Sequence, residues 1–179
     1  MPVFYIQFAL LAGIYILSLN SILSQTLQLE KSRLKRWFYL LALVLLHSAA
    51  LRYLVVHIFH PNWVYLFDGG VAGQRLLGSV LQPSAFGVFL LLAIACYLRG
   101  SWTGAVISLA VAATFHPTYL LSAATLTLVI MGSEYTRERT ISRPLLIGIG
   151  AILCVAPVLF LTLRTFGGTD PLLAARARD

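Results

Sequence analysis

Six runs of apolar residues, separated by short polar or glycine- and proline-rich breaks, divide the chain. Val3 to Leu23 and Trp37 to Phe59 are each close to the roughly 20 residues that a hydrocarbon core of about 30 Å demands. Ser84 to Leu98, Trp102 to Phe115 and Thr118 to Met131 are shorter, and at 1.5 Å per residue each reaches only about 20 Å. Pro144 to Leu163 closes the series at full length. The pattern predicts an all-α polytopic transmembrane helical bundle of about six spans, three of them short, forming a single integral membrane domain over residues 1–179. Between the second and third runs, Asp68-Gly69-Gly70 is a turn signal and Pro83 is a helix breaker. An interfacial or re-entrant helix is expected at 71–82.

One stretch admits two readings. Trp102 to Met131 is either one helix kinked at Pro117 or two short helices meeting at His116-Pro117. A single helix would run about 45 Å, far more than the hydrocarbon needs, and would carry Arg137, Arg139 and Arg143 to the opposite face. Two short helices are the better expectation.

Composition strengthens the membrane reading. Hydrophobic residues make up 59% of the chain and charged residues 11%, against roughly 25% charged in a soluble globular domain; the mean hydropathy is +0.87. The net charge of +7 is spread as short clusters between apolar runs. That is the distribution that lipid headgroups and cytoplasmic loops require, and it argues against nucleic acid as a partner. Cys96 and Cys154 both sit inside apolar runs as small hydrophobes, so no disulfide framework is expected.

The cluster Lys31, Arg33, Lys35 and Arg36 after the first run should stay cytoplasmic, which places the N-terminus, Asp68, His116 and the C-terminal tail outside. Eight Lys/Arg then lie inside, four lie outside (Arg75, Arg164, Arg176 and Arg178), and Arg52 lies within the second span. No basic residue precedes the first run and no small-x-small site closes it, so it does not read as a cleaved signal peptide.

The polar chemistry concentrates between His57 and Tyr119. Asp68 is the only carboxylate between Glu30 and Glu134. It is either a turn or capping aspartate, or a group that accepts a proton from a hydroxyl or ligates a divalent cation beside a phosphate. His116 precedes Pro117 at the apex of two short helices. It either bonds a freed backbone carbonyl or faces a phosphate or carboxylate as donor. Arg52 either snorkels outward or binds a phosphate or the Asp68 carboxylate, and Arg75 is a second candidate for phosphate.

His57 and His60, three residues apart, would supply nitrogen ligands beside Asp68, which makes a divalent cation a candidate cofactor, although Pro61 disturbs the spacing. His47, Arg52 and His57 step around the helix and do not share a face. The chain has no Walker loop, dinucleotide fingerprint, nucleophile elbow or CxxC pair.

Arg99-Gly100-Ser101-Trp102, Ala105, Leu109-Ala110, Thr114-Phe115-His116-Pro117-Thr118 and Leu120-Leu121 lead into Arg137 to Arg143. Ala156-Pro157, Leu163-Arg164, Phe166-Gly167-Gly168 and Asp170-Pro171-Leu172 continue the run. Together they resemble the GT-C superfamily of polyprenol-dependent membrane glycosyltransferases, in which a basic residue before proline sits between short helices bounded by arginine-rich cytoplasmic loops. The resemblance covers Arg99 to Leu172.

It implies transfer of a sugar from a polyprenyl-phosphate donor on the outer face of the bacterial inner membrane. Asp68 would stand as the catalytic carboxylate and His116 as the basic residue before proline; in such a mechanism the candidates Arg75 or Arg52 would help His116 to steady the departing phosphate. The family's acidic pair is reduced here to one Asp beside two glycines, and an extra N-terminal span precedes the loop. Family members are longer, so the chain is expected to be the N-terminal portion of a larger protein. The stretch from Asp68 to Tyr119 is also similar to bacterial multi-spanning proteins of unassigned activity. The competing expectation is a non-catalytic membrane protein, a transporter half or an assembly subunit, since short spans and a re-entrant segment also suit a substrate pathway.

Overall fold

The computed structural model describes residues 2–59 and 82–166. These residues form seven α-helices and no strand: α1 Pro2–Leu27, α2 Arg33–His47, α3 Ala49–Phe59, α4 Val88–Leu98, α5 Trp102–Phe115, α6 Tyr119–Glu138 and α7 Ser142–Phe166. Short 3-10 turns at Leu29–Lys31 and Pro83–Gly87 lead into α2 and α4. By length and composition, α1 and α7 are the two described helices long and apolar enough to cross a membrane. Their most apolar windows are only 17% and 6% buried. A core helix of a soluble protein hides its apolar surface, whereas these display it.

The bundle is built around α5, which packs against α4, α6 and α7. Ala105, Ala112 and Ala113 are fully covered, and Leu109 is buried beside them. Small side chains let helix backbones approach closely, and this allows a 14-residue helix to be enclosed on most of its circumference. The α4–α5 hairpin shows the local logic. Gly100 takes φ +81° to reverse the chain, and the Ser101 hydroxyl caps α5 by accepting from the Gly104 amide at 3.3 Å. A Cβ at Gly104 would come within 2.9 Å of Ser101 Oγ and 3.2 Å of Cys96 Sγ. Arg99-Gly100-Ser101-Trp102 is therefore a turn, cap and close-approach signature. On the other side of α4, Leu11 of α1 packs with Ala85 and Val88.

Two expected elements differ. Trp37 to Phe59 is not one continuous helix, because Ser48 is extended at φ −76°, ψ 142° and separates α2 from α3. Its hydroxyl donates to the Leu45 carbonyl at 2.8 Å and accepts from the Leu51 amide at 3.1 Å, so it serves both helix ends. The run expected at Thr118 to Met131 is longer, since α6 continues to Glu138 through a buried polar cluster described below. Of the expected helix at 71–82, Val71 to Leu81 lie outside the described residues, and Gln82 is extended before Pro83.

Trp102 to Glu138 is two helices, as the proline argument requires. His116 is extended at φ −147°, ψ 115° and ends α5. The hairpins place His116 and Ser84 at one end of the bundle. Arg99, Arg137, Arg139 and Arg143 lie at the other.

Candidate functional site at the His116 turn

Pro117 has no amide hydrogen for the Ala113 carbonyl, and here the chain breaks rather than kinks, with His116 extended at the end of α5. The His116 amide closes the last turn on the Ala112 carbonyl at 3.1 Å. Then Tyr119 and Leu120 bond back to the His116 and Pro117 carbonyls, both at 3.0 Å, which starts α6. No hydrogen bond to the carbonyls of Ala113, Thr114 and Phe115 is made among the described residues. A helix end of this kind needs water or a ligand.

Side chains fix the turn. His116 is half-buried, and its Nδ1 lies 2.5 Å from Thr118 Oγ1. Its ring meets Tyr119 edge-on, centroids 6.3 Å apart. Tyr119 is 2% exposed and donates its hydroxyl to the Ser84 carbonyl at 2.6 Å, pinning the Pro83–Gly87 turn to the start of α6. The described chain resumes at Gln82, two residues before Ser84.

Below the turn, α5, α6 and α7 enclose an open groove of about 640 Å3. Leu120 and Leu121 line its end nearest His116, and Met131 and Gly148 line it farther down. From Leu121 to Met131 it follows α6 for about 15 Å. Thr127, on its wall, turns its hydroxyl to the Ala123 carbonyl at 2.8 Å, so the lining offers a ligand almost nothing but hydrocarbon.

A separate polar cluster ties the opposite end together. Tyr97 of α4 lies 2.7 Å from Ser133 Oγ and donates to Glu134 Oε1 at 3.1 Å. Glu134, 2% exposed, accepts from Arg137 at 3.4 Å and from Arg143 at 3.2 Å. Arg143 also pairs with Glu138. Every polar group of this cluster has a partner within it, which marks it as a structural tie of α4, α6 and α7. In the sequence these arginines mark topology and the arginine-rich loop of the resemblance, not a partnership with Glu134. The available signal was the Glu134, Arg137 and Glu138 spacing on one helix with Arg143 beyond the turn.

Of the predicted site residues, His116 is placed as described. Arg52 falls in the first turn of α3, and nothing is described of its side chain. His57 is exposed on α3, with its ring stacked on Tyr53 at 5.7 Å and 9°. Asp68, Arg75 and His60 lie outside the described residues. Among the described residues there is no cluster of three or more His, Cys, Asp or Glu. No family model, curated protein or solved structure matches this chain.

Proposed function

We propose that the chain is a multi-pass inner-membrane protein that binds a lipid phosphate with its chain in the α5–α6–α7 groove, as part of a GT-C-like transferase of lipid-linked sugar. The observation that carries this reading is the apolar groove starting about one turn from His116. Its volume of about 640 Å3 falls in the range of ligand sites, about 300–1,000 Å3. A hydrocarbon chain suits its lining, and the polar turn at its end suits a phosphate.

In this reading Asp68 takes the proton of the acceptor hydroxyl, or ligates a divalent cation that steadies the phosphate. The acceptor oxygen attacks the anomeric carbon, and the bond from that carbon to the phosphate oxygen breaks. His116 and Arg75 or Arg52 stabilise the departing lipid phosphate. The orientation that suits this chemistry has the N-terminus and His116 on the extracytoplasmic side, with the arginine-bearing end in the cytoplasm.

The test uses the full chain in lipid nanodiscs with a diazirine-bearing farnesyl phosphate. Cross-links should concentrate on peptides covering Val106 to Met131 and Gly148 to Leu159, and should exceed those given by the matching farnesol probe. Ala124→Phe, which puts a ring into the groove, should remove the excess. Equal, diffuse labelling by both probes would overturn the reading. For the chemistry, Asp68→Asn should abolish sugar transfer in membranes while leaving insertion intact, and full activity in that variant would exclude Asp68.

A further inference from the structure

Three phenylalanines stack at the His116 end of the bundle. Phe86 and Phe115 lie 4.5 Å apart with planes only 6° off parallel, and Phe89 is parallel to Phe115 within 8° at 6.4 Å. Phe86 sits in the turn that Tyr119 pins through Ser84, so the stack is held from both sides. Phe115 is nonetheless 57% exposed. Phe86 and Phe89 therefore cover only part of the ring, and the rest of it is accessible.

The residues that flank Phe115 in the chain are polar. Thr114 precedes it and His116-Pro117-Thr118 follow it, with Thr114 and Thr118 exposed and His116 half-buried. Thr118 Oγ1 engages Nδ1, and Nε2 makes no hydrogen bond within the described structure. Among the described residues the carbonyls of Ala113, Thr114 and Phe115 accept no hydrogen bond either: Pro117 has no amide hydrogen for Ala113, and the Tyr119 amide turns back to His116. Hydrocarbon at this level would leave these acceptors unsatisfied at a cost of a few kcal/mol each. A flat apolar patch rimmed by polar groups is the signature of a binding site.

A pyranose ring matches both features. Its axial C–H bonds form a weakly positive apolar face that complements the negative face of an aromatic ring. Its edge carries hydroxyls that donate to carbonyls and imidazole. We infer that the Phe115 face, backed by Phe86 and bordered by His116 and the open carbonyls at the end of α5, is the subsite that holds the sugar ring of the lipid-linked substrate. The inference rests on the function proposed above and adds to it the groups that recognise the sugar.

The test measures binding to the full chain in nanodiscs of five probes: farnesol, farnesyl phosphate, and farnesyl phosphates carrying glucose, mannose or N-acetylglucosamine. At least one sugar-bearing probe should bind more tightly than farnesyl phosphate, by about three- to tenfold, the worth of one aromatic contact. Phe115→Ala should remove that gain and leave farnesyl phosphate unchanged, whereas Phe115→Trp should keep it.

If farnesyl phosphate binds but no sugar adds affinity, or the gain survives in Phe115→Ala, the subsite is wrong and the lipid-phosphate reading stands. If farnesyl phosphate binds no better than farnesol, both fall. Phe115→Trp also covers the case in which the alanine variant fails to fold. With Trp37, Trp63 and Trp102 replaced by phenylalanine, quenching of the tryptophan introduced at position 115 by lipids brominated on the acyl chain should be reduced by the sugar-bearing probe. Full quenching that no probe relieves would show a ring facing lipid and overturn the subsite.

Discussion

Glu134 is 2% exposed at the arginine-bearing end of α6, and a carboxylate so placed is tolerable only because Tyr97, Arg137 and Arg143 all reach it. Tyr97→Phe removes one hydrogen bond to a charged acceptor and should lower stability by about 1.5 kcal/mol. Glu134→Gln should cost more, since it removes the buried charge that Arg137 and Arg143 share and leaves them only Glu138. Thermal unfolding of the purified protein in one detergent would rank the two variants. A smaller loss for Glu134→Gln than for Tyr97→Phe would mean that the cluster is mainly a neutral hydrogen-bond network. These residues were visible in the sequence, but their partnership was not. Tyr97 lies 37 positions before Glu134, and only the antiparallel packing of α4 and α6 against α5 brings them together. His116 was legible for the opposite reason, because the peptide bond to Pro117 dictates both its extended backbone and the end of the helix.

At the scale of elements, proline and serine behaved differently as signals. Pro117 lacks the amide hydrogen and clashes with the preceding turn, so a kink or a break is expected there, and the excess length of a single helix favours the break; α7, by contrast, runs on through Pro157. Ser48 carries no such prohibition. A serine inside an apolar run ordinarily bonds the carbonyl four residues back and leaves the helix intact. In this chain it bonds Leu45 and Leu51 instead and divides an expected span into helices of 15 and 11 residues. Replacing it with leucine removes both side-chain bonds and supplies a good helix former. Ser48→Leu should therefore fuse α2 and α3. Spin labels at the exposed positions Leu41 and Leu54 should then report a sharp separation near 20 Å, the axial rise of a continuous helix, longer than in the unaltered chain. An unchanged distance distribution would show that packing outside the Leu45 to Leu51 bonds sets the break.

For the molecule as a whole, the alternation of hairpins decides which chemistry shares a side. The α4–α5 turn at Arg99 and the α6–α7 turn at Arg139 to Ile141 lie at one end, and the α5–α6 turn at His116 lies at the other. Sequence reasoning reached the same partition from charge, because basic residues gather in the loops that stay cytoplasmic. What it did not supply was depth. Neither α4 nor α5 is long enough to cross alone, yet α5 is enclosed by three neighbours that cover its short apolar length. Orientation follows if the arginine-bearing end is cytoplasmic. With Cys96 and Cys154 replaced by alanine, single cysteines at Thr118 and Arg139, both exposed, should behave oppositely in intact cells. Thr118→Cys should react with a membrane-impermeant maleimide added outside, and Arg139→Cys only after the membrane is opened. Reaction of both from outside would mean that α6 does not cross, which would remove the groove and the His116 turn from a common transmembrane path. Reaction of Arg139→Cys alone would keep the crossing but invert the protein, placing His116 in the cytoplasm and ending the case for an extracytoplasmic sugar transfer.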